Sequence, residues 1–122
     1  MATKHASPRI RRVYDTPASD DGTRVLVDRL WPRGVAKDRA HVDEWLKAVA
    51  PSDELRRWLH EDRSRFPDFV ERYRAELSDG ERAEALAHLR KLRDEGPLTL
   101  VTSAKDVEHS HVPVIAEELG KD

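Results

Sequence analysis

The sequence predicts an α/β fold: a small three-layer Rossmann-like domain with a three- or four-stranded, largely parallel sheet flanked by helices. Two observations carry this. Two short β-prone runs are apolar and β-branched, VLV at 25–27 and LTLVT at 98–102, as strands covered by helices on both faces are. The chain between them carries helical periodicity, and a long helical crossover between two strands goes with parallel pairing. A length of 122 residues suits one domain, taken as 1–122.

The elements follow in order. Residues 1–7 are small and polar and read as a flexible tail. From Pro8, RIRRVYD alternates Ile10 and Val13 with arginines and reads as the first strand. TPASDDGT at 16–23 is a turn-rich connection, broken by Pro17, Asp20, Asp21 and Gly22. The second strand runs from Arg24 to about Asp28.

Val42, Trp45, Leu46 and Val49 then fall at i, i+3, i+4 and i+7, which predicts a helix ended by Pro51. Ser52 is an N-cap for the next helix, with Asp53 and Glu54 in the first turn where the dipole favours negative charge. Leu55, Trp58 and Leu59 form its apolar stripe. Phe66, Phe69, Val70, Tyr73 and Leu77 mark a third helix. SDGE at 78–81 reads as a capping box for a fourth, which turns Leu86, Leu89 and Leu92 inward and stops at Gly96-Pro97.

After the third strand at 98–102 comes the last helix. With Asp106 as its cap, Pro113 would lie two turns in and break a backbone hydrogen bond. With Ser110 as the cap, Pro113 falls in the first turn, where its missing N–H costs nothing. A turn at 106–109 and a helix from about His111 are therefore expected.

Composition narrows the function. The chain has 22 Lys and Arg against 24 Asp and Glu, a net charge of −2, which argues against a dedicated duplex-DNA binder. With no cysteine there is no disulfide, thiol nucleophile or thiolate metal site. No segment has the apolar length of a signal peptide or membrane helix, so the cytoplasm is the expected compartment and no membrane partner is expected.

In open α/β sheets, ligands bind beyond the carboxyl ends of the strands. That rule collects Tyr14 and Asp15, Asp28 and Arg29, and Ser103, Lys105 and Asp106, with Arg33, His109 and His111 close in sequence. Guanidinium forks such as Arg29 and Arg33 bind phosphate or carboxylate bidentately, and Asp28 can hold one in place or act as a base. The plainer alternative is an Asp28–Arg29 pair closing the strand, with Trp31-Pro32 anchoring a loop.

In SAKDVEH at 103–109, Lys105 supplies charge at a strand-to-helix junction and His109 supplies an imidazole suited to proton transfer. The plainer alternative there is a local cap with solvated side chains. A metal site could draw on His109, His111, Asp106 and Asp28, but the histidine pair straddles a helix start, which argues against both facing one ion. Ser103 as a nucleophile with His109 as its base lacks the GxSxG elbow. No glycine pattern of the Walker or GxGxxG kind occurs. Trp45, Trp58, Phe66, Phe69 and Tyr73 read as core, and Arg56, Arg57, Arg63 and Arg65, interleaved with acids, as a solvated face.

VDRLWPRG at 27–34, Trp45-Leu46 followed by Ala50-Pro51-Ser52, Glu54-Leu55-Arg56, and SAKDVEHS at 103–110 together resemble the YeaO-like family, a bacterial domain of unknown function (DUF488). The likeness runs from Val13 to about Leu119. One departure stands out: Ser110 occupies a position where this family commonly has Asn, which keeps a cap and removes a side-chain amide. The resemblance implies a compact cytosolic α/β domain and directs attention to Asp28, Arg29, Trp31, Arg33, Lys105, Asp106 and His109. It implies no substrate.

The expectation is a site for an anionic small molecule, a phosphate-bearing metabolite or nucleotide, at the carboxyl ends of the strands. Arg29, Trp31, Arg33, Ser103 and Lys105 would contact the ligand. Asp28, Asp106 and His109 are the candidates for acid–base work, with no metal and no specified cofactor. A single site of this kind requires Arg33 and His109 on one face. The alternative is a nucleic-acid or protein-binding regulatory module without catalysis.

Overall fold

The computed structural model describes residues 8–121. The tail expected over 1–7 lies outside the described residues. The strands are β1 (Arg9–Arg12), β2 (Thr23–Leu26), β3 (Glu44–Trp45) and β4 (Leu98–Thr102). The helices are α1 (Lys37–Ala40), α2 (Asp53–Glu61), α3 (Phe66–Leu77), α4 (Gly80–Glu95) and α5 (Val112–Leu119). The four strands form one sheet in the order β1-β4-β2-β3, and every adjacent pair is parallel.

β4 lies between β1 and β2, with Ile10 and Val25 both opposite Leu100. All five of its residues are buried, as in a strand covered on both faces, and its two threonines donate to the Asp21 carbonyl and the Asp28 carboxylate. Alternation along the strands divides the core. Val25, Val27, Leu98 and Leu100 face α2–α5, where Leu55, Phe69, Tyr73, Leu89 and Ile115 cover them. Leu26, Val101 and Val13 face the other way, toward Ala40 of α1 and the side chains of Trp31, Val35 and Val42. These are the three layers. No helix among the described residues is long and apolar enough to cross a membrane.

Four helices, α2 to α5, fall where the apolar spacing puts them. Ser52 caps α2, its hydroxyl accepting from the Leu55 amide at 3.1 Å. Pro113 lies in the first turn of α5, preceded by a 3-10 turn at Val107–His109. Ser110 Oγ accepts from the Val112 amide at 3.2 Å and donates to the Val107 carbonyl, so it closes the turn and opens the helix.

The helix expected over 42–49 does not form. That segment is β3 followed by a 3-10 turn at Lys47–Val49. Val42 packs on the α1 side of the sheet whereas Leu46 and Val49 pack on the α2–α5 side, so the chain crosses the sheet edge within eight residues. A helix presenting these residues on one stripe cannot do that. The open edge of β2 supplies partners instead: Asp43 N donates to Arg24 O and Leu46 N to Leu26 O, each at 2.8 Å. Trp45, read as core, is 39% exposed on this edge.

The capping box at 78–81 does not form either. Ser78 Oγ donates to the Ala75 carbonyl at the end of α3, and Asp79 makes no side-chain cap to α4.

The turn at 16–23 conceals a buried ion pair. Asp21 and Arg24 are buried beside β4, and the Asp21 carboxylate accepts from Arg24 Nη1 and the Ala18 amide. The Ala18 amide and then Arg24 hold that carboxyl below its ordinary range, outweighing the opposing effect of burial.

Candidate functional site

The carboxyl ends of β2 and β4 meet at Asp28. Its Oδ1 accepts from Thr102 Oγ1 at 2.7 Å. Its Oδ2 accepts from Ser103 N at 2.8 Å and Ser103 Oγ at 2.9 Å. The Asp28 carbonyl takes the Trp45 indole N–H at 2.8 Å. Three donors from the end of β4 thus bind one carboxylate at the end of β2, which fixes where the 103–111 segment starts. Arg12 of β1 donates to the Ala104 carbonyl at 3.0 Å and tethers the same segment from its other side.

His111 packs behind Asp28. Its Nε2 lies 3.0 Å from the Val27 carbonyl and 3.5 Å from Asp28 Oδ1, and its ring meets Tyr73 edge to face. Burial holds the imidazole below its ordinary pKa of 6.5, against the opposing influences of Asp28 and the Val27 carbonyl. The folded protein therefore resists a proton that the unfolded chain accepts. Stability is expected to be fully present above about pH 6.5 and to fall as the pH drops below it. Urea unfolding at pH 7.5 and 5.5 measures this, and His111→Gln should flatten the dependence.

Two adjoining hollows open in front of these residues, of about 350 Å³ and about 270 Å³. They share Arg56, His60, Ala104 and His111 and form one cleft between α2 and the β4–α5 connection. One end is lined by Arg63, Lys105, Asp106 and His109, and the other by Asp28, Arg29 and Ser103. Arg29 Nη2 is 2.9 Å from Asp53 Oδ2, and Arg56 Nη2 is 3.4 Å from Asp53 Oδ1, so one carboxylate holds two guanidinium groups. His109 Nδ1 is 2.9 Å from Asp106 Oδ2, and the ring packs edge to face on Phe66.

The cleft thus gathers Asp28, Arg29, Ser103, Lys105, Asp106 and His109, as the rule of strand ends implies. It does not gather Trp31 or Arg33. Trp31 donates its indole N–H to the Val35 carbonyl at 2.6 Å, packs edge to face on Trp45, and belongs to the α1 side of the core. Arg33 is exposed on that same loop and lines neither hollow. His109 leans on Phe66, which packs with the opposite side of the sheet. A single site joining Arg33 to His109 therefore does not form. Tyr14 and Asp15 line a separate hollow beside Gly34 and Arg39.

The chain belongs to the DUF488 family. A family model described as the inactive DUF488-N3 subclade matches residues 8–122. This DUF488 chain is 49% identical over 111 residues to the uncharacterized protein Rv3073c of Mycobacterium tuberculosis, covering 91% of this chain and 92% of that one. It is 44% identical over 110 residues to the uncharacterized protein YeaO of Escherichia coli, covering 89% and 93%. No solved structure gives a significant match.

Sequence reasoning missed the far wall of the cleft. Arg56, His60 and Arg63 lie at i, i+4 and i+7, a spacing that puts Arg56 and His60 on one face of α2. That spacing was the available signal, and alternation with acids obscured it. Arg65 behaves differently, stacking on Trp58 and donating to the Trp58 carbonyl. Among the described residues no group of three or more histidines and carboxylates is arranged to hold a metal ion. His109 pairs outward with Asp106 while His111 turns inward to Val27.

Proposed function

We propose that the cleft between α2 and the β4–α5 connection binds an anionic small molecule, a phosphate-bearing metabolite or nucleotide, and holds it without turning it over. One observation carries the reading. Four basic side chains, Arg29, Arg56, Arg63 and Lys105, line the cleft with the carboxylates Asp28 and Asp106, and Asp53 stands behind Arg29 and Arg56. Asp28 is already engaged by three internal donors and Asp106 by His109.

Asp53 fixes two of the guanidinium groups in advance, which lowers the ordering cost of binding. The volume suits a small ligand. The side chains at the floor favour holding over chemistry. The Ser103 hydroxyl donates to Asp28, so no histidine activates it, and the Asp28 oxygens that would act as a base are occupied. The description of the matching subclade as inactive agrees with this.

Titration of the labelled protein with a nucleoside monophosphate and a sugar phosphate, followed by NMR, tests the proposal. Lys105→Glu and Arg56→Glu should each weaken binding by roughly tenfold or more, the effect of losing a charge-assisted hydrogen bond. Arg33→Glu should leave it unchanged. Binding indifferent to both cleft variants would exclude this site. Inert small molecules together with steeply salt-dependent affinity for RNA or DNA would replace it with a nucleic-acid-binding module.

A further inference from the structure

His111 lies where the two hollows meet, and the structure fixes which of its nitrogens carries the hydrogen. Nε2 faces two acceptors, the Val27 carbonyl at 3.0 Å and Asp28 Oδ1 at 3.5 Å, so Nε2 is the donor. In the neutral ring Nδ1 is then a bare lone pair. Nδ1 has no hydrogen-bond partner among the described residues, yet it is not one of the fully enclosed unpartnered atoms. His111 lines both hollows of the cleft.

We infer that this cleft selects oxyanions that bear a proton of their own, inorganic phosphate and singly protonated phosphomonoesters, with His111 Nδ1 accepting the ligand's O–H. The inference rests on the anion-binding reading of the same cleft. Asp28 and Asp106 already take internal donors, and the other charged side chains of this wall are cations, which any anion satisfies. An acceptor set among them is different. It is left facing another lone pair when the ligand has no hydrogen to give, which costs the desolvation of both.

The preference depends on a neutral ring, and the charged groups around it act in both directions. Asp28 at the end of β2 favours the imidazolium, and Tyr73 of α3 packs on the ring with its hydroxyl donated to Val49. Across the cleft Arg56 of α2 and Lys105 of the connection are cations, His60 of α2 stands beside them, and the outward Asp106–His109 pair lies at the rim. Burial decides the balance for the neutral form. Once protonated, Nδ1 becomes a donor and the selectivity disappears.

Inorganic phosphate and sulfate at pH 7.5 make the test, because both are close to dianionic and only phosphate keeps an O–H. Phosphate should bind roughly tenfold tighter or better. The 15N resonance of the unprotonated His111 Nδ1 should move on adding phosphate and stay in place with sulfate. His111→Phe should bring the two affinities together, whereas Lys105→Ala should weaken both alike. Equal affinities in the wild-type protein, or an Nδ1 resonance that ignores phosphate, would overturn the inference and leave the anion site standing. No binding of either anion would overturn both. The Nδ1 measurement uses the wild-type protein, so the test survives a His111→Phe variant that fails to fold.

Discussion

Asp28→Ala is expected to lower stability by about 3 kcal/mol and to weaken anion binding in whatever fraction still folds. The carboxylate takes hydrogen bonds from Thr102 Oγ1, Ser103 N and Ser103 Oγ, in a site where Asp28 is only 9% exposed. Alanine leaves those donors without their acceptor at the junction of two central strands, and each unsatisfied buried group costs roughly 1–3 kcal/mol. Asp28→Asn separates geometry from charge. Its carbonyl oxygen can still accept from Thr102, but its NH2 would confront the Ser103 amide, so a smaller loss is expected. Urea unfolding of the three proteins gives the stabilities. A loss of binding with no loss of stability in Asp28→Ala would show instead that this carboxylate meets the ligand.

The second large effect is at Gly22. Its φ is +67°, and a Cβ built there would lie 2.3 Å from the Pro97 carbonyl oxygen and 2.6 Å from the Pro97 Cβ. The obstruction cannot move aside cheaply. The Pro97 carbonyl accepts from Thr23 N at 3.0 Å, and Thr99 Oγ1 donates to the Asp21 carbonyl at 2.8 Å, so both chains are tied at the start of β2 and β4. Gly22→Ala combines left-handed strain with a backbone clash, and a loss on the order of 3 kcal/mol is expected. Gly34→Ala is the control: its φ is +78° with nothing within 4 Å, so it carries the strain alone, about 1–2 kcal/mol. Thermal unfolding of both variants distinguishes them, and equal shifts would mean that the Pro97 contact relaxes.

Much of this architecture is legible locally. β4 and the core of β2 are short apolar and β-branched runs, and that alone marks strands covered on both faces. Ser52 before Asp53-Glu54 places the start of α2, and Pro113 places the start of α5, because capping and the missing proline N–H are decided within one turn of the chain. The expectation of a site at the carboxyl ends of parallel strands follows from connection length and handedness. In the structure Asp28, Arg29, Ser103, Lys105, Asp106 and His109 border one cleft.

What the sequence left undecided depended on partners far along the chain. Residues 42–49 satisfy helical spacing, yet Val42 and Val49 pack on opposite sides of the sheet because the free edge of β2 captures the backbone between them. Arg56 and Arg63 look like a solvated face until the 103–111 segment closes over them, and Arg33 looks like part of the site until Trp31 draws its loop to the other side. Asp28 meets Thr102 and Ser103, 74 and 75 residues away. By itself the sequence determined the periods, the caps and the strand ends, all set by neighbours within about a turn. Only the tertiary structure decided which side of the sheet each loop joins, because that choice follows from burial and open backbone partners that no local spacing records.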